Sequence, residues 1–160
     1  SPMSRGLGDV YKRQRVHLVP PPSFNRWIEK HLILADTGIR HTSGDLHSGV
    51  WARYEEVLPH LMEIRQSGRD MAAAVQRDDR FNVCAAMNAY TEAVGKLDSS
   101  LNEPYQILVD MPDVLAWKGM GAAAGGFVGI ISRNPDATKE AIPWDVLDWQ
   151  IDQEGLTISD

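Results

Sequence analysis

The chain has 160 residues, the length of a single domain, and its formal net charge of −6 argues against a nucleic-acid-binding scaffold, which carries a basic face. No apolar run approaches the roughly 20 residues that span a bilayer, so we expect no membrane partner. The one cysteine, Cys84, excludes an internal disulfide and fits a reducing, cytoplasmic compartment.

The N-terminal segment differs in composition from the rest of the chain. Residues 1–14 are basic in an acidic protein and have no apolar periodicity. We interpret them as a non-native tail and assign residues 15–160 to one domain.

Two strands are predicted in the first part of the domain. Apolar residues at 16–19 predict a short strand, which the prolines at 20–22 end. Residues 31–35 form the strongest strand pattern of the chain, followed by the turn sequence Asp36-Thr37-Gly38.

Helices are predicted for the middle of the chain. One helical pattern runs over residues 43–76, with Ser43 or Asp45 as its cap, and a second runs over residues 81–97. Pro59 lies inside the first pattern, where we expect it to be tolerated only in the first turn of a helix.

The last third of the chain returns to strands. The predicted elements are a short helix with loops over 99–113, strands over 114–117 and 127–131, a short helix over 136–142, and a hairpin of strands 146–151 and 156–159. Helices in the middle and strands at both ends predict an α+β, ferredoxin-like fold: a mainly antiparallel sheet with helices packed on one face.

The loop between two of these strands has no large side chain except one methionine. It reads Gly119-Met120-Gly121-Ala122-Ala123-Ala124-Gly125-Gly126. Such a loop permits positive φ angles and can aim several N–H groups at an anion, as phosphate-binding loops do. A close-packed connection without a ligand is the alternative. The candidate phosphate-loop-adjacent residues are Gly119, Gly121, Ala122, Ala123, Ala124, Gly125 and Gly126.

A second polar loop follows the strong strand, where binding sites are commonly built. Arg40 can pair with a phosphate or carboxylate at two points, and Asp36 and Thr37 can bond sugar hydroxyls. The candidate substrate-side residues are Asp36, Thr37, Gly38, Arg40 and His41. An ordinary turn and helix start is the alternative.

Both loops resemble segments of one family, the GHMP kinases. Residues 32–41 resemble the strand and loop that open the C-terminal half of galactokinase. Residues 116–131 resemble the third motif of the family, Gly-Ala-Gly-x-Gly-Gly followed by an apolar strand. The resemblance covers about residues 27–132, and heptose-phosphate kinases and other sugar kinases share it.

The resemblance implies the C-terminal half of an ATP-dependent kinase for a small sugar, a sugar phosphate or an alcohol. In this family that half is a ferredoxin-like domain. It packs against an N-terminal half, with ATP, Mg²⁺ and substrate in the cleft between them. The third motif, here residues 121–126, supports the main phosphate loop, and residues 36–41 lie toward the substrate.

This chain departs from the family in three ways. Ala123 replaces the middle glycine of the third motif, and residues 98–115 form a shorter segment than in galactokinase. The main phosphate loop, Pro-x-x-x-Gly-Leu-Gly-Ser-Ser, does not occur in this sequence, and neither does the segment with the catalytic acid. We therefore expect a missing N-terminal kinase domain as the partner, no catalytic residue in this chain, and no kinase activity from this chain alone.

Two other functions fit the sequence. One is a non-catalytic ferredoxin-like domain that binds a ligand or regulates another protein. The other is a small metal-dependent hydrolase using His41, Asp45 and His47, although their spacing matches no closed zinc pattern, so we predict no metal site.

Overall fold

The structure is a computed structural model and describes residues 17–40 and 43–155, without the side chains of residues 43–47. The predicted N-terminal tail, the second strand of the predicted hairpin and the candidate site residue His41 lie outside the described residues.

The described residues form five α-helices, two 3-10 helices and four strands. In chain order the elements are α1 (Pro22–His31), β1 (Leu32–Asp36), α2 (Ser43–Ala52), α3 (Tyr54–Gln76), α4 (Arg80–Leu97), two 3-10 helices (Ser99–Leu101 and Glu103–Leu108), β2 (Val114–Gly119), β3 (Phe127–Ser132), α5 (Pro135–Ala141) and β4 (Asp145–Leu147). Of the helices that the structure describes, none combines the length and the apolar character needed to cross a bilayer.

The strands form one four-stranded sheet in the order β2-β3-β1-β4, and every neighbouring pair is antiparallel. Helices α2 to α4 connect β1 to β2, and α5 connects β3 to β4. This βαββαβ connection is the ferredoxin-like arrangement. The predicted α+β, ferredoxin-like fold is confirmed.

The core is built by alternate residues of the central strands, because successive side chains on a strand point to opposite faces. Ile130 lies between Ile33 of β1 and Trp117 of β2 and is fully buried. Trp117 is 8% exposed and belongs to the same core cluster as Ile33 and Ile130. The next residue along β3, Ile131, packs in a separate cluster with Phe24 of α1.

Several predicted elements are confirmed. Strand β1, helix α4 and the strands that flank the glycine-alanine loop lie where the patterns predicted them. The predicted short helix over 136–142 is α5; the Asn134 side chain caps it by accepting a hydrogen bond from the Ala137 amide at 3.4 Å, and Pro135 is its first residue.

The predicted strand at 16–19 is wrong for the described residues 17–19, which are irregular and lead into α1. Pro22 can begin this helix because it has no N–H to lose and its φ already suits a helix. Phe24, Trp27 and Ile28 follow at helical spacing, and Phe24 is buried. The helical spacing of these three residues could have predicted α1. The prolines at 20–22 instead led to the prediction of a strand that ends there.

The long helical pattern is broken once. Arg53 leaves the helical conformation, with φ −116° and ψ 29°, and separates α2 from α3. Pro59 is then the sixth residue of α3, so the expectation that it would stand in a first turn is wrong. The helix tolerates it because Glu55, whose carbonyl would have bonded residue 59, is exposed to water.

The predicted C-terminal hairpin is also wrong in its first strand. Strand β4 has only three residues and pairs with β1, where Leu147 lies opposite Leu34. Beyond it, the Trp149 indole donates to the Leu32 carbonyl at 2.9 Å, and the Ile151 amide donates to Glu29 at 3.0 Å. Residues 145–151 therefore lie along the edge of β1 and the end of α1.

Candidate functional site

The two candidate loops meet at one end of the sheet. Asp36, the last residue of β1, lies opposite Phe127, the first residue of β3. Beyond this pair, the amide and hydroxyl of Thr37 both donate to the Gly126 carbonyl, at 2.9 and 2.8 Å. The Gly126 amide donates to the Ile39 carbonyl at 2.8 Å. Three hydrogen bonds thus join the two loops, and Thr37 and Gly126 lie 89 residues apart in the sequence.

The glycine-alanine loop, residues 119–126, turns through an unusual series of backbone angles. Its positive φ values are 65° at Gly121, 63° at Ala123, 57° at Ala124, 131° at Gly125 and 65° at Gly126. Alanine in the left-handed region costs about 1–2 kcal/mol. Ala123, which departs from the family motif, therefore occupies a position whose geometry favours glycine.

Two glycines allow close approaches. A Cβ on Gly125 would lie 2.8 Å from Ile39 Cγ2 and 2.9 Å from the Ile39 carbonyl oxygen, so only glycine fits between the two loops. A Cβ on Gly119 would lie 2.8 Å from the Tyr105 ring. These glycines serve packing, as the alternative interpretation of the loop expected.

Most amides of the glycine-alanine loop bond within the protein. The donors and acceptors are Met120 to the Phe127 carbonyl at 2.9 Å, Ala123 to the Met120 carbonyl at 3.4 Å, Ala124 to the Leu101 carbonyl at 2.7 Å, Gly125 to the Tyr105 hydroxyl at 2.9 Å, and Gly126 to the Ile39 carbonyl at 2.8 Å. The amides of Gly121 and Ala122 have no partner among the described residues. Only these two are available to a ligand.

Tyr105 stabilises the glycine-alanine loop, and the sequence patterns did not identify it as a site residue. Its side chain is fully buried, and its hydroxyl donates to the Gly125 carbonyl at 2.5 Å while accepting from the Gly125 amide. Burial raises the pKa of this phenol, which keeps the hydroxyl protonated and able to donate. The ring packs at 5.5 Å from that of Trp117. The three-residue spacing of Tyr105 and Leu108 could have predicted that both side chains are buried on one face of a short helix.

An apolar cavity of about 230 Å³ lies beside the glycine-alanine loop. Gly121 and Ala122 line it, and its remaining walls come from α2, α3, α4 and the first 3-10 helix, including Leu61, Val94 and Leu97. The two residues with unpaired amides therefore line a mainly apolar cavity.

The second loop is held by an ion pair within itself. Arg40 donates to both carboxylate oxygens of Asp36, at 3.1 and 2.8 Å, and the Gly38 amide donates to the same carboxylate at 2.9 Å. The guanidinium, followed by that amide, holds the pKa of Asp36 below its usual range. Arg40 remains 69% exposed, so an anion can still reach it.

The structure brings Asp36, Thr37 and Gly38 together with the glycine-alanine loop. The Thr37 hydroxyl already donates its hydrogen bond to the Gly126 carbonyl. Of the metal candidates, His41 and the side chains of Asp45 and His47 lie outside the described part of the chain. Within the described residues, no three His, Cys, Asp or Glu side chains converge on a point that could hold a metal ion.

Solved structures share this fold. L. major mevalonate kinase, determined with R-mevalonate, gives a TM-score of 0.53 at 16% identity, over 68% of this chain and 35% of the kinase. The Lin0012 protein from Listeria innocua gives 0.58 at 13% identity, over 94% of this chain and 50% of that protein. The chain thus spans half or less of either protein. Neither a protein-family profile nor a curated protein sequence matches it. The domain shares its fold with part of this mevalonate kinase.

Proposed function

We propose that this chain is the C-terminal half of an ATP-dependent, GHMP-type kinase whose substrate is a small sugar or sugar phosphate. The observation that carries the proposal is the contact between the two loops at Thr37 and Gly126, at the end of β1. Both loops resemble GHMP kinases in sequence, and their contact supports the proposal that they belong to one site. Similarity in fold to a mevalonate kinase supports the same class.

In this proposal the two loops have separate tasks. The glycine-alanine loop supports the phosphate loop of the N-terminal half, with the unpaired amides of Gly121 and Ala122 nearest to phosphate oxygens. Asp36, Gly38 and the exposed guanidinium of Arg40 lie on the substrate side, and His41 belongs there by its place in the sequence.

The N-terminal half supplies what this chain lacks. Phosphoryl transfer depends on positioning and on cationic groups and metal ions around the γ-phosphate. We propose that ATP and Mg²⁺ bind mainly to that missing half, in the cytoplasm, and that this chain contributes the wall of the cleft. Arg40 and the amides of Gly121 and Ala122 do not supply the cationic groups and metal ions that the γ-phosphate needs.

A non-catalytic ferredoxin-like domain is the second candidate. Five amides of the glycine-alanine loop bond inside the protein, which favours a structural turn over a phosphate cradle. In this alternative the chain binds a ligand or regulates another protein and needs no catalytic half.

The reading frame upstream of residue 15 distinguishes the two. Under the kinase proposal it encodes Gly-Leu-Gly-Ser-Ser, the purified extended protein transfers phosphate from ATP to a hexose or hexose phosphate, and the 160-residue chain alone does not. In the extended protein, Arg40→Ala raises KM for the phosphoryl acceptor about tenfold or more through loss of a charge-assisted contact. The matched control, Arg133→Ala, changes an exposed arginine outside both loops and leaves KM unchanged.

Absence of the phosphate loop upstream would contradict the proposal. So would phosphorylation of a hexose by the 160-residue chain alone, since that would place the catalytic groups in residues that the proposal leaves without such a role.

A further inference from the structure

A second cavity, of about 350 Å³, forms a groove between α3 and α4 beside strand β2. Its volume lies within the range of about 300–1,000 Å³ that is typical of small-molecule sites. The walls are mainly aliphatic and thioether groups, from Ile64 and Met71 of α3 and Met87 of α4. Such walls suit an alkyl chain.

One charged side chain, Lys118 of β2, lines this groove. Its Nζ lies 4.4 Å from the ring centroid of Tyr90, and no carboxylate among the described residues lies within ion-pair distance of it. The side chain is half-buried, and burial lowers the pKa of its ammonium. The groove thus presents one cation without a counter-ion.

We propose that this groove binds an aliphatic monocarboxylate, of the medium-chain fatty acid class, with its carboxylate on Lys118 Nζ and its chain between Ile64, Met71 and Met87. A carboxylate completes the ion pair that Lys118 lacks, and the alkyl chain covers apolar walls. A sugar does not fit, because its hydroxyls would lose water against apolar walls and find few partners there.

The groove is separate from the candidate kinase site. It contains none of the residues of the two loops, although Tyr90 and Ile64 line both this groove and the cavity beside the glycine-alanine loop. The proposal therefore stands or fails independently of the kinase function.

Gly68 gives a direct way to block the groove. It lies in α3 on the groove wall, and a Cβ built there meets no atom within 4 Å. Gly68→Leu therefore places a side chain in open space, and leucine favours a helix over glycine. The variant is expected to fold at least as well as the original chain.

The test is calorimetric titration of the 160-residue chain with octanoate and, separately, with 1-octanol. We expect octanoate to bind, octanol to bind at least tenfold more weakly, and Lys118→Met to weaken octanoate about tenfold or more without changing octanol, because the charged contact is lost. Gly68→Leu abolishes binding of both. Lys139→Met, an exposed lysine on α5, leaves both affinities unchanged. Circular dichroism checks that each variant is folded.

Three results would overturn the proposal. They are no octanoate binding at millimolar concentration, equal affinity for octanoate and octanol, and unchanged octanoate binding in folded Lys118→Met or Gly68→Leu. Unchanged octanoate binding in folded Lys118→Met would mean that the cation–π contact with Tyr90 is the whole role of Lys118.

Discussion

At the scale of single residues, two neighbouring alanines hold a conformation that glycine adopts more easily. Ala123 and Ala124 have φ values of 63° and 57°. They differ in surroundings, because Ala123 is 3% exposed and packs in the core, whereas Ala124 is only partly buried. Glycine at 123 would lose a buried methyl worth about 0.8 kcal/mol, which offsets most of the relieved strain.

Replacing Ala124 with glycine is therefore expected to stabilise the domain. Relief of left-handed strain exceeds the smaller loss of buried surface, for a gain of up to about 1 kcal/mol and a rise in Tm of roughly 2–4 °C. Ala89→Gly, at an exposed position inside α4, is the matched control and costs about 1 kcal/mol. Thermal unfolding followed by circular dichroism measures both. A fall in Tm for both variants would contradict the expected strain at residue 124.

At the scale of elements, α4 and the 3-10 helices hold the sheet edge and the glycine-alanine loop in place. Thr91 and Asn88 of α4 donate to the Trp117 and Leu115 carbonyls on the outer edge of β2, the second bond at 3.0 Å. A helix thus covers an edge that would otherwise be open to pairing with another chain. The 3-10 helix Glu103–Leu108 supplies Tyr105 to the loop.

Removing the Tyr105 hydroxyl is expected to destabilise the contact between this 3-10 helix and the glycine-alanine loop. Tyr105→Phe leaves the buried carbonyl and amide of Gly125 without their partner, at a cost of about 2 kcal/mol. Urea unfolding measures the change as a lower midpoint with an unchanged slope. Tyr54→Phe, at a side chain that is 42% exposed, is the control and is expected to stay within about 0.5 kcal/mol. Equal effects of the two substitutions would show that the buried hydroxyl does not stabilise the loop.

At the scale of the whole molecule, α3 and the end of α2 expose an apolar stripe. It consists of Trp51, Tyr54, Leu58 and Met62, which are 65%, 42%, 38% and 51% exposed. The last three are spaced four residues apart and so lie on one face of α3, and the rings of Trp51 and Tyr54 stack at 5.6 Å. An exposed stripe of this kind is expected of half an enzyme whose partner domain is missing.

We expect the proposed N-terminal half to cover this stripe, so Met62→Glu should act only in the extended protein. There it buries an unpaired charge and lowers Tm, while the 160-residue chain keeps its stability within about 0.5 kcal/mol. Arg65→Gln, an exposed change of the same charge on the same helix, is expected to affect neither protein. An extended protein with an unchanged Tm in Met62→Glu would place the domain interface elsewhere.

The elements with strong local signals were predictable and those decided by distant partners were not. The spacing of Phe81 to Leu97 and the cap at Asn134 depend on residues within a turn or two. Tyr105 could not be assigned to the glycine-alanine loop, because nothing near it in sequence identifies Gly125 as its partner. Strand β4 was predicted too long, since its pairing with β1 depends on residues more than a hundred positions away.

The sequence by itself determined the order of most elements and the ferredoxin-like class, because periodicity, capping and glycine content act over a few residues; the site in the two loops stays a prediction. Only the tertiary structure decided that Thr37 contacts Gly126, that five loop amides bond inside the protein and that those of Gly121 and Ala122 do not. These choices depend on the path of the chain through the sheet, which brings together segments that no local pattern connects.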